Sequence, residues 1–252
     1  MVTRLAPGDQ PVLILGGFLI GVQAYRPMAQ HLQARIGQPV RVVPANRFDW
    51  VATVGRWGWV RLLDRVDALA RELAALSPSG KITLIGHSSG GVMLRLWLAD
   101  EPFGGRRYSG LHHANTLITL GSPHTAIRAT ALRQWVDQRM PGAFCAPAVR
   151  YLSVAGRLDP RSPLASATSR RLATRSYTAI CGNPDAAGDG LVPVSSALLA
   201  GAEHLVLEPV AHGGAFGQRW YGTPEVVAQW WDALDTSIER QQSPLRRPGD
   251  GT

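Results

Sequence analysis

The chain has 252 residues, of which 45% are hydrophobic, and a formal net charge of +8. This length fits one α/β domain, and this composition supports a sizeable core, which excludes an intrinsically disordered chain. No apolar run approaches the roughly 20 residues of a membrane-spanning helix, and residues 1–10 lack the apolar segment of a secretory signal. We therefore expect a cytoplasmic protein.

Almost all of the positive charge is arginine, since Lys81 is the only lysine. The arginines are scattered in short pairs, without a basic stripe interleaved with aromatic residues, so a nucleic-acid-binding function would rest on charge alone. We expect no nucleic-acid partner, although peripheral contact with an anionic membrane stays open. Two cysteines, Cys145 and Cys181, predict neither a disulfide framework nor a metal site.

The first part of the chain alternates between apolar strands and amphipathic helices. Strands are predicted over residues 11–15 and 40–43, a helix from about 25 to 35, and a longer helix over 60–76. Residues 46–59 are predicted as a loop. Its three tryptophans could line an acyl pocket, but we expect them to pin the loop to the body: Trp50, Trp57 and Trp59.

The turn after the next strand carries the main chemical signal. An apolar run over residues 82–85 leads into Gly86-His87-Ser88-Ser89-Gly90, and helix-compatible spacing follows to about residue 100. A strand, a tight turn of the form G-x-S-x-G and a helix are typical of a nucleophile elbow, which lifts a serine hydroxyl clear of the sheet. The alternative is an ordinary glycine-rich turn, and the residues downstream decide between the two.

An earlier turn offers a partner for this serine. Gly16 and Gly17 follow the first strand and allow the backbone to turn its N–H groups toward a substrate oxygen. The sequence therefore predicts an oxyanion hole made of the Phe18 and Ser89 N–H groups.

The second half of the chain predicts three more strands, over residues 115–120, 149–155 and 204–207. Residues 125–147 are expected to form a small helical cap, 158–176 a polar surface loop, and 195–199 a helical turn. A last helix opens at Thr223-Pro224-Glu225, and 241–252 is expected to be a flexible tail. The predicted fold class is α/β, with a mostly parallel central sheet and helices on both faces, in a single domain over 1–240.

A serine nucleophile needs a histidine to take its proton and an acid to orient that histidine. Asp189 follows the predicted strand at 149–155, and His212 follows the last strand. The order Ser88, Asp189, His212 predicts a catalytic triad. Asp185 is the rival acid, but glycines on both sides of Asp189 favour the latter because they allow a tight loop.

Other residues are expected near the site without a part in the triad. His87 cannot easily reach the hydroxyl of its neighbour, and His124 ends a strand at the same edge of the sheet. We predict a substrate pocket that includes Leu19, His87, His124 and Leu191.

As a set, these motifs resemble the α/β-hydrolase lipases and esterases, most closely the branch of GPI inositol-deacylase-like lipases and of uncharacterised cyanobacterial and plant hydrolases. The residues that carry the resemblance span about 11–234 and include Gly86 to Gly91, Thr119 to His124, Tyr151 to Arg157, Gly188 to Pro193, and Trp220 to Gly222. The resemblance implies an α/β-hydrolase fold, with Ser88 as nucleophile, Asp189 as acid and His212 as base. The first loop departs from it, with Gly16-Gly17-Phe18 where many lipases have His-Gly.

We therefore expect a serine hydrolase that acts on carboxylic esters, either acyl lipids or small apolar esters, and that needs no metal or cofactor. An acyltransferase would use the same acyl-enzyme and pass the acyl group to an alcohol. A binding protein that keeps the hydrolase fold without its chemistry is the alternative from another class.

Overall fold

Six parallel strands form one sheet at the centre of the protein. The computed structural model describes the backbone of residues 7–242 and the side chains of residues 8–236. The strands are β1 (Val12–Leu15), β2 (Val40–Val42), β3 (Ile82–His87), β4 (Ala114–Leu120), β5 (Arg150–Gly156) and β6 (Glu203–Leu207). Their order across the sheet is β2-β1-β3-β4-β5-β6, and every neighbouring pair is parallel.

Eight helices connect or follow these strands. They are α1 (Arg26–Ile36), α2 (Arg47–Ala52), α3 (Arg56–Leu76), α4 (Ser89–Leu98), α5 (Ala131–Arg139), α6 (Ala167–Cys181), α7 (Val194–Ala197) and α8 (Pro224–Gln242). Three short 3-10 turns lie at Pro7–Asp9, Val22–Tyr25 and Gly110–His112.

Both faces of the sheet are buried, which explains why its strands read as continuous apolar runs. In β1, Leu13 and Leu15 pack with α3 and α4 on one face, while Val12 and Ile14 pack with α1 and α8 on the other. Each such fully buried side chain stabilises the fold by about 1.5–3 kcal/mol. The predicted α/β architecture, with helices on both faces of a parallel sheet, is confirmed.

The predicted loop over residues 46–59 is wrong, because α2 and the start of α3 occupy it. Asn46 caps α2: its side chain accepts hydrogen bonds from two backbone N–H groups, while Asp49 accepts the N–H of Asn46. This reciprocal capping box is a helix-start signal that the three tryptophans obscured. Trp50 and Trp59 are buried as expected, but Trp57 is exposed.

The predicted surface loop over 158–176 is also partly wrong, because α6 begins at Ala167. Ser166 caps this helix by accepting the N–H of Ser169. Ala173 and Tyr177 are buried on one face, while Arg170 is among the arginines exposed on the other. The arginines made the segment look like a loop, although they mark the solvent side of an amphipathic helix.

Four other predictions concern the cap, the tail, the cysteines and membrane-spanning helices. Helix α5 lies within the predicted cap over 125–147. Helix α8 extends to Gln242, so the first two residues of the predicted tail are helical, and 243–252 lie outside the described residues. Cys145 and Cys181 are free thiols. Within residues 7–242, no helix is long and apolar enough to cross a membrane.

Candidate active site

The predicted triad residues meet at the carboxyl edge of the sheet. Because all six strands are parallel, their carboxyl ends share one edge, where α/β proteins bind ligands. Ser88 directly follows β3, and His212 lies beyond β6. Asp189 reaches the same edge because the carbonyl of Gly188, its neighbour, accepts a hydrogen bond (2.8 Å) from the N–H of Leu158, just beyond β5.

Ser88 occupies a strained turn between β3 and α4. Its φ of 53° and ψ of −126° lie in a region that side-chain-bearing residues rarely adopt, at a cost on the order of 1–3 kcal/mol. The turn leaves Ser88 at the N-terminus of α4, whose positive dipole end faces any negative charge that develops there. This geometry is that of a nucleophile elbow.

Two glycines make the turn possible by leaving space for neighbouring backbone. A Cβ on Gly86 would lie 2.4 Å from Cα of Gly91, so a side chain there would push β3 and α4 apart. A Cβ on Gly17 would lie 2.8 Å from Cβ of Ser88. The loop after β1 can therefore pass directly over the serine only because residue 17 is a glycine.

The three predicted residues form one hydrogen-bonded chain. Oγ of Ser88 lies 3.0 Å from Nε2 of His212, and Nδ1 of His212 lies 2.8 Å from Oδ2 of Asp189. The Asp189 carboxylate can only accept, so Nδ1 carries the proton and Nε2 is left to accept the serine hydroxyl. All three side chains are buried.

Asp189 is held by more donors than the histidine alone. Its Oδ2 also accepts the hydroxyl of Tyr221 at 2.8 Å, and its Oδ1 accepts the N–H groups of Leu191 and Val192 at 3.0 and 2.8 Å. Burial and the negative charge of Asp189 raise the pKa of Tyr221 well above its usual range, so this hydroxyl stays a donor. Four donors fix the carboxylate and thereby the ring of His212.

The N–H groups predicted to form the oxyanion hole are free to act. Among the described residues, neither Phe18 N–H nor Ser89 N–H has a hydrogen-bond acceptor, and both residues line the pocket beside Ser88. The N–H of Gly17, one residue earlier, is not free, because it donates to the hydroxyl of Tyr25 at 2.8 Å. The pair of donors for an oxyanion stays a prediction.

Tyr25 and His87 connect the loop of Phe18 to the loop of His212. Tyr25 accepts the N–H of Gly17 and donates its proton to Nδ1 of His87 at 2.7 Å, while Nε2 of His87 donates to the carbonyl of His212 at 2.7 Å. Burial lowers the pKa of His87 well below its usual value, so the ring is neutral and has one donor and one acceptor. This chain of bonds ties both loops to the elbow.

A pocket of about 440 Å³ opens beside Ser88 and His212. Its walls are mostly apolar and come from the first loop, α2, α3, α4 and the segments around α5 and α6. The lining includes Phe18, Ile20, Trp50, Trp59, Val92, Met93, Leu191 and Phe216. Trp50 and Trp59 thus serve as core residues and as pocket wall together.

Of the four predicted pocket residues, only Leu191 lines this pocket. Leu19 is partly exposed and adopts a positive φ of 62°, outside the lining. His87 is fully buried beneath the site, where it bonds to Tyr25 and His212. His124 is buried as well, and its Nε2 bonds to Thr119 at 3.1 Å. The ring nitrogens of both histidines are hydrogen-bonded within the fold, so their roles are structural.

The rival acid lies away from the site, whereas two tyrosines that the sequence did not predict belong to it. Asp185 is exposed in the loop before Asp189 and does not reach His212. Tyr25 was expected only as part of a helix face, and Tyr221 only as part of a motif. The hydroxyl of Tyr25 bonds to His87, 62 residues away, and that of Tyr221 bonds to Asp189, 32 residues away, so no local pattern could have identified these contacts.

The described residues contain no group of three or more His, Cys, Asp or Glu side chains that could hold a metal ion.

Two buried histidines make folding sensitive to acid. Burial lowers the pKa of His87 and His124 well below 6.5, and nearby Arg95 and Arg133 add to the effect on His124. Below pH 6.5 these histidines bind protons in the unfolded chain but stay neutral in the folded one. The free energy of unfolding therefore falls as pH decreases, by up to about 1.4 kcal/mol per pH unit for each histidine. A His124→Gln variant should lose one such contribution. Urea unfolding at several pH values from 7 to 5 measures the free energy of unfolding. This free energy should fall less steeply with decreasing pH in His124→Gln than in the wild type, and an equal pH dependence would contradict this account.

Replacing Tyr25 by Phe should loosen the first loop. The change removes one hydroxyl and leaves the N–H of Gly17 and Nδ1 of His87 unpaired, at a cost of about 1–3 kcal/mol. Because Phe18 follows Gly17, we expect kcat for a nitrophenyl ester to fall about tenfold, with KM nearly unchanged. Tyr108→Phe is the matched control, since it removes a buried hydroxyl outside the pocket. An equal loss of kcat in both variants would mean that Tyr25 acts only through stability.

Three solved structures resemble this one over most of the chain. The mature lipase BlEst2 of Bacillus licheniformis aligns with a TM-score of 0.60 at 15% identity, over 93% of this chain and 96% of that one. Its propeptide form gives 0.63 at 15% identity, over 93% of this chain, which spans only 52% of that one. A candidate cell surface hydrolase from Lactobacillus plantarum WCFS1 gives 0.50 at 14% identity, over 96% and 95%.

At these identities the likeness establishes the fold, and the resemblance to the GPI inositol-deacylase-like branch stays a prediction. No family model matches the chain, and no curated protein matches it by sequence. The parallel sheet and these neighbours together confirm the predicted fold: the chain has the α/β-hydrolase fold.

Proposed function

We propose that this protein is a serine hydrolase that cleaves carboxylic esters through an acyl-enzyme. The observation that carries the proposal is the hydrogen-bonded chain from Ser88 through His212 to Asp189, at the mouth of an apolar pocket. An elbow serine, a histidine hydrogen-bonded to it and a buried carboxylate are the parts that acyl transfer requires.

In the first half of the reaction, Ser88 Oγ attacks the ester carbonyl while Nε2 of His212 takes its proton. The carbonyl oxygen becomes an oxyanion, and in this proposal the N–H groups of Phe18 and Ser89 donate to it. When the intermediate collapses, the bond to the alcohol breaks, and His212 gives its proton to the leaving oxygen. The acyl group then remains on Ser88.

In the second half, water replaces the alcohol. His212 takes a proton from the water as its oxygen attacks the acyl carbonyl, and the proton returns to Ser88 when the acid leaves. Asp189 stays a hydrogen-bond acceptor throughout, and its four donors keep the imidazole in the required orientation.

The pocket walls support an apolar acyl group. Several lining side chains are apolar and offer no hydrogen-bond partners, so burial of an alkyl chain in the pocket is favourable. They include Ile20, Val92, Met93 and Leu191. We propose acyl lipids or small apolar esters as the class of substrate.

Removing the nucleophile tests the proposal directly. Ser88→Ala should lower kcat for a short nitrophenyl ester about 10³-fold or more, because no other hydroxyl among the described residues is hydrogen-bonded to Nε2 of His212. Peptide mapping after reaction with a fluorophosphonate should find the adduct on Ser88 in the wild type.

Ser195→Ala, which changes an exposed serine on α7, is the control and should keep both activity and labelling. Full activity of the folded Ser88→Ala protein would refute the proposed mechanism. A folded wild type that neither labels nor turns over would favour a binding protein on this fold.

An exposed apolar segment borders the pocket. Phe48, Val54 and Trp57 are 83%, 77% and 65% exposed, and Val51 is exposed beside them. Val54 also lines the pocket, so the segment, residues 48–57, reaches the opening. Exposed apolar groups this close together in a soluble domain mark an interaction surface.

Positive charge lies within the same part of the chain. Arg47, Arg56 and Arg61 are exposed, and the guanidinium of Arg61 lies over the ring of Trp57 at 4.7 Å. Apolar side chains with flanking arginines suit the surface of an anionic bilayer. We propose that the segment 48–57 contacts such a surface when the substrate is a lipid.

Trp57→Ala tests this contact. It should weaken binding to vesicles of phosphatidylglycerol and phosphatidylcholine about tenfold, because an indole no longer enters the interface. Sedimentation with vesicles measures the binding. Leu76→Ala, an exposed apolar residue at the opposite end of α3, should bind like the wild type. The absence of any vesicle binding by the wild type would contradict the proposal.

A further inference from the structure

A single permanent charge interrupts the apolar wall of the pocket. Arg133 on α5 lines the pocket together with Thr130 and Pro123, and no Asp, Glu or Lys among the described residues lines it. Nothing in the proposed ester cleavage uses this arginine. An explanation is needed, because a cation in an apolar wall loses its hydration.

The guanidinium of Arg133 is only partly satisfied. Its Nη2 donates to the carbonyl of Pro123 at 2.7 Å, but Nε is buried without a hydrogen-bond partner. No carboxylate among the described residues lies within 4.0 Å of it, in contrast to Arg65, which pairs with Asp49 at 2.7 Å. A guanidinium has five N–H donors, so most of those of Arg133 have no acceptor among the described residues.

The surroundings add positive charge to this side of the pocket. Arg95 is fully buried, and its donors go to Nδ1 of His124 at 3.4 Å and to the carbonyl of Met140, neither of which is an anion. His124 is neutral because burial lowers its pKa. Asp137 is the nearby carboxylate, one turn along α5 from Arg133; its negative charge acts on both arginines, although it forms no ion pair within 4.0 Å with either. Arg95 and Arg133 together therefore carry one positive charge more than Asp137 offsets.

We propose that Arg133 binds an anionic group of the substrate, a carboxylate or a phosphate, so that the ester this enzyme prefers carries a negative charge. Guanidinium matches both groups with two parallel hydrogen bonds, and an anion here would supply the missing counter-charge. The inference rests on the proposed function and names its substrate class. The apolar walls then bind the alkyl part between the scissile carbonyl and the charge.

Pairs of esters that differ in one anionic group test the proposal. If the anion belongs to the acyl side, mono-4-nitrophenyl glutarate should be cleaved with at least tenfold higher kcat/KM than 4-nitrophenyl valerate. If it belongs to the alcohol side, 1-butyrylglycerol 3-phosphate should be preferred over 1-butyrylglycerol. In whichever pair shows the preference, Arg133→Gln should reduce it about tenfold to a hundredfold. The reduction should come mainly from a lower kcat/KM for the anionic ester.

Two further variants separate binding from bulk charge and from folding. Arg139→Gln removes an exposed charge from the same helix and should leave the preference unchanged. Arg133→Lys retains a cation while it loses the planar fork, so it should keep part of the preference. Thermal unfolding of each variant checks that the fold is retained, since Arg133 also holds the Pro123 carbonyl.

The outcomes separate this inference from the proposed function. Cleavage of neutral and anionic esters with equal kcat/KM in both pairs, or an unchanged preference in Arg133→Gln, overturns the role of Arg133 and leaves the hydrolase standing. If no ester is cleaved, the proposed function fails. In that case, calorimetric titration with monomethyl glutarate tests whether Arg133 binds an anion. The anion site is overturned if the wild type does not bind monomethyl glutarate more tightly than Arg133→Gln does.

Discussion

The buried carboxylate of Asp189 is the constraint on which the arrangement of the site depends. A carboxylate without exposure must be surrounded by donors, and here Tyr221, His212 and two backbone N–H groups supply them. Each donor comes from a different stretch of chain or from the loop of Asp189 itself. The hydroxyl of Tyr221 also accepts the N–H of Gly156 at 2.6 Å, which attaches the acid to the end of β5. Satisfying one charge therefore fixes the loop, the base and the sheet edge together.

A second network performs the same task for the other half of the site. Tyr25 and His87 link the first loop to the carbonyl of His212, so the N–H of Phe18 and the imidazole are positioned by one set of neutral hydrogen bonds. The two networks meet at His212. Because its ring is oriented by Asp189 and its backbone by His87, the base has little freedom to turn away from Ser88, and such preorganisation is what electrostatic catalysis requires.

The chemistry and the substrate selectivity proposed for the pocket would come from different layers of the fold. Ser88, Asp189 and His212 lie at the edge of the sheet, where parallel strands impose their convergence. Arg133 comes from α5, which lies within the segment between β4 and β5, and the apolar segment 48–57 lies between β2 and β3. Both are insertions between strands, and such connections change without disturbing the sheet, so they are suited to choosing a substrate and the surface that presents it.

The sequence alone determined the parallel sheet, the elbow at Ser88 and the order of Ser88, Asp189 and His212, because apolar periodicity and turn chemistry are local properties that a linear pattern records. It misjudged α2 and α6, whose capping residues, Asn46 and Ser166, were hidden by tryptophans and arginines. Only the tertiary structure decided that Tyr25 and Tyr221 hold the site, that His87 and His124 lie outside the pocket, and that Arg133 lines it with no carboxylate within 4.0 Å among the described residues. Hydrogen bonds between residues tens of positions apart, and the burial of a charge, depend on how the elements pack, and no spacing along the chain encodes them.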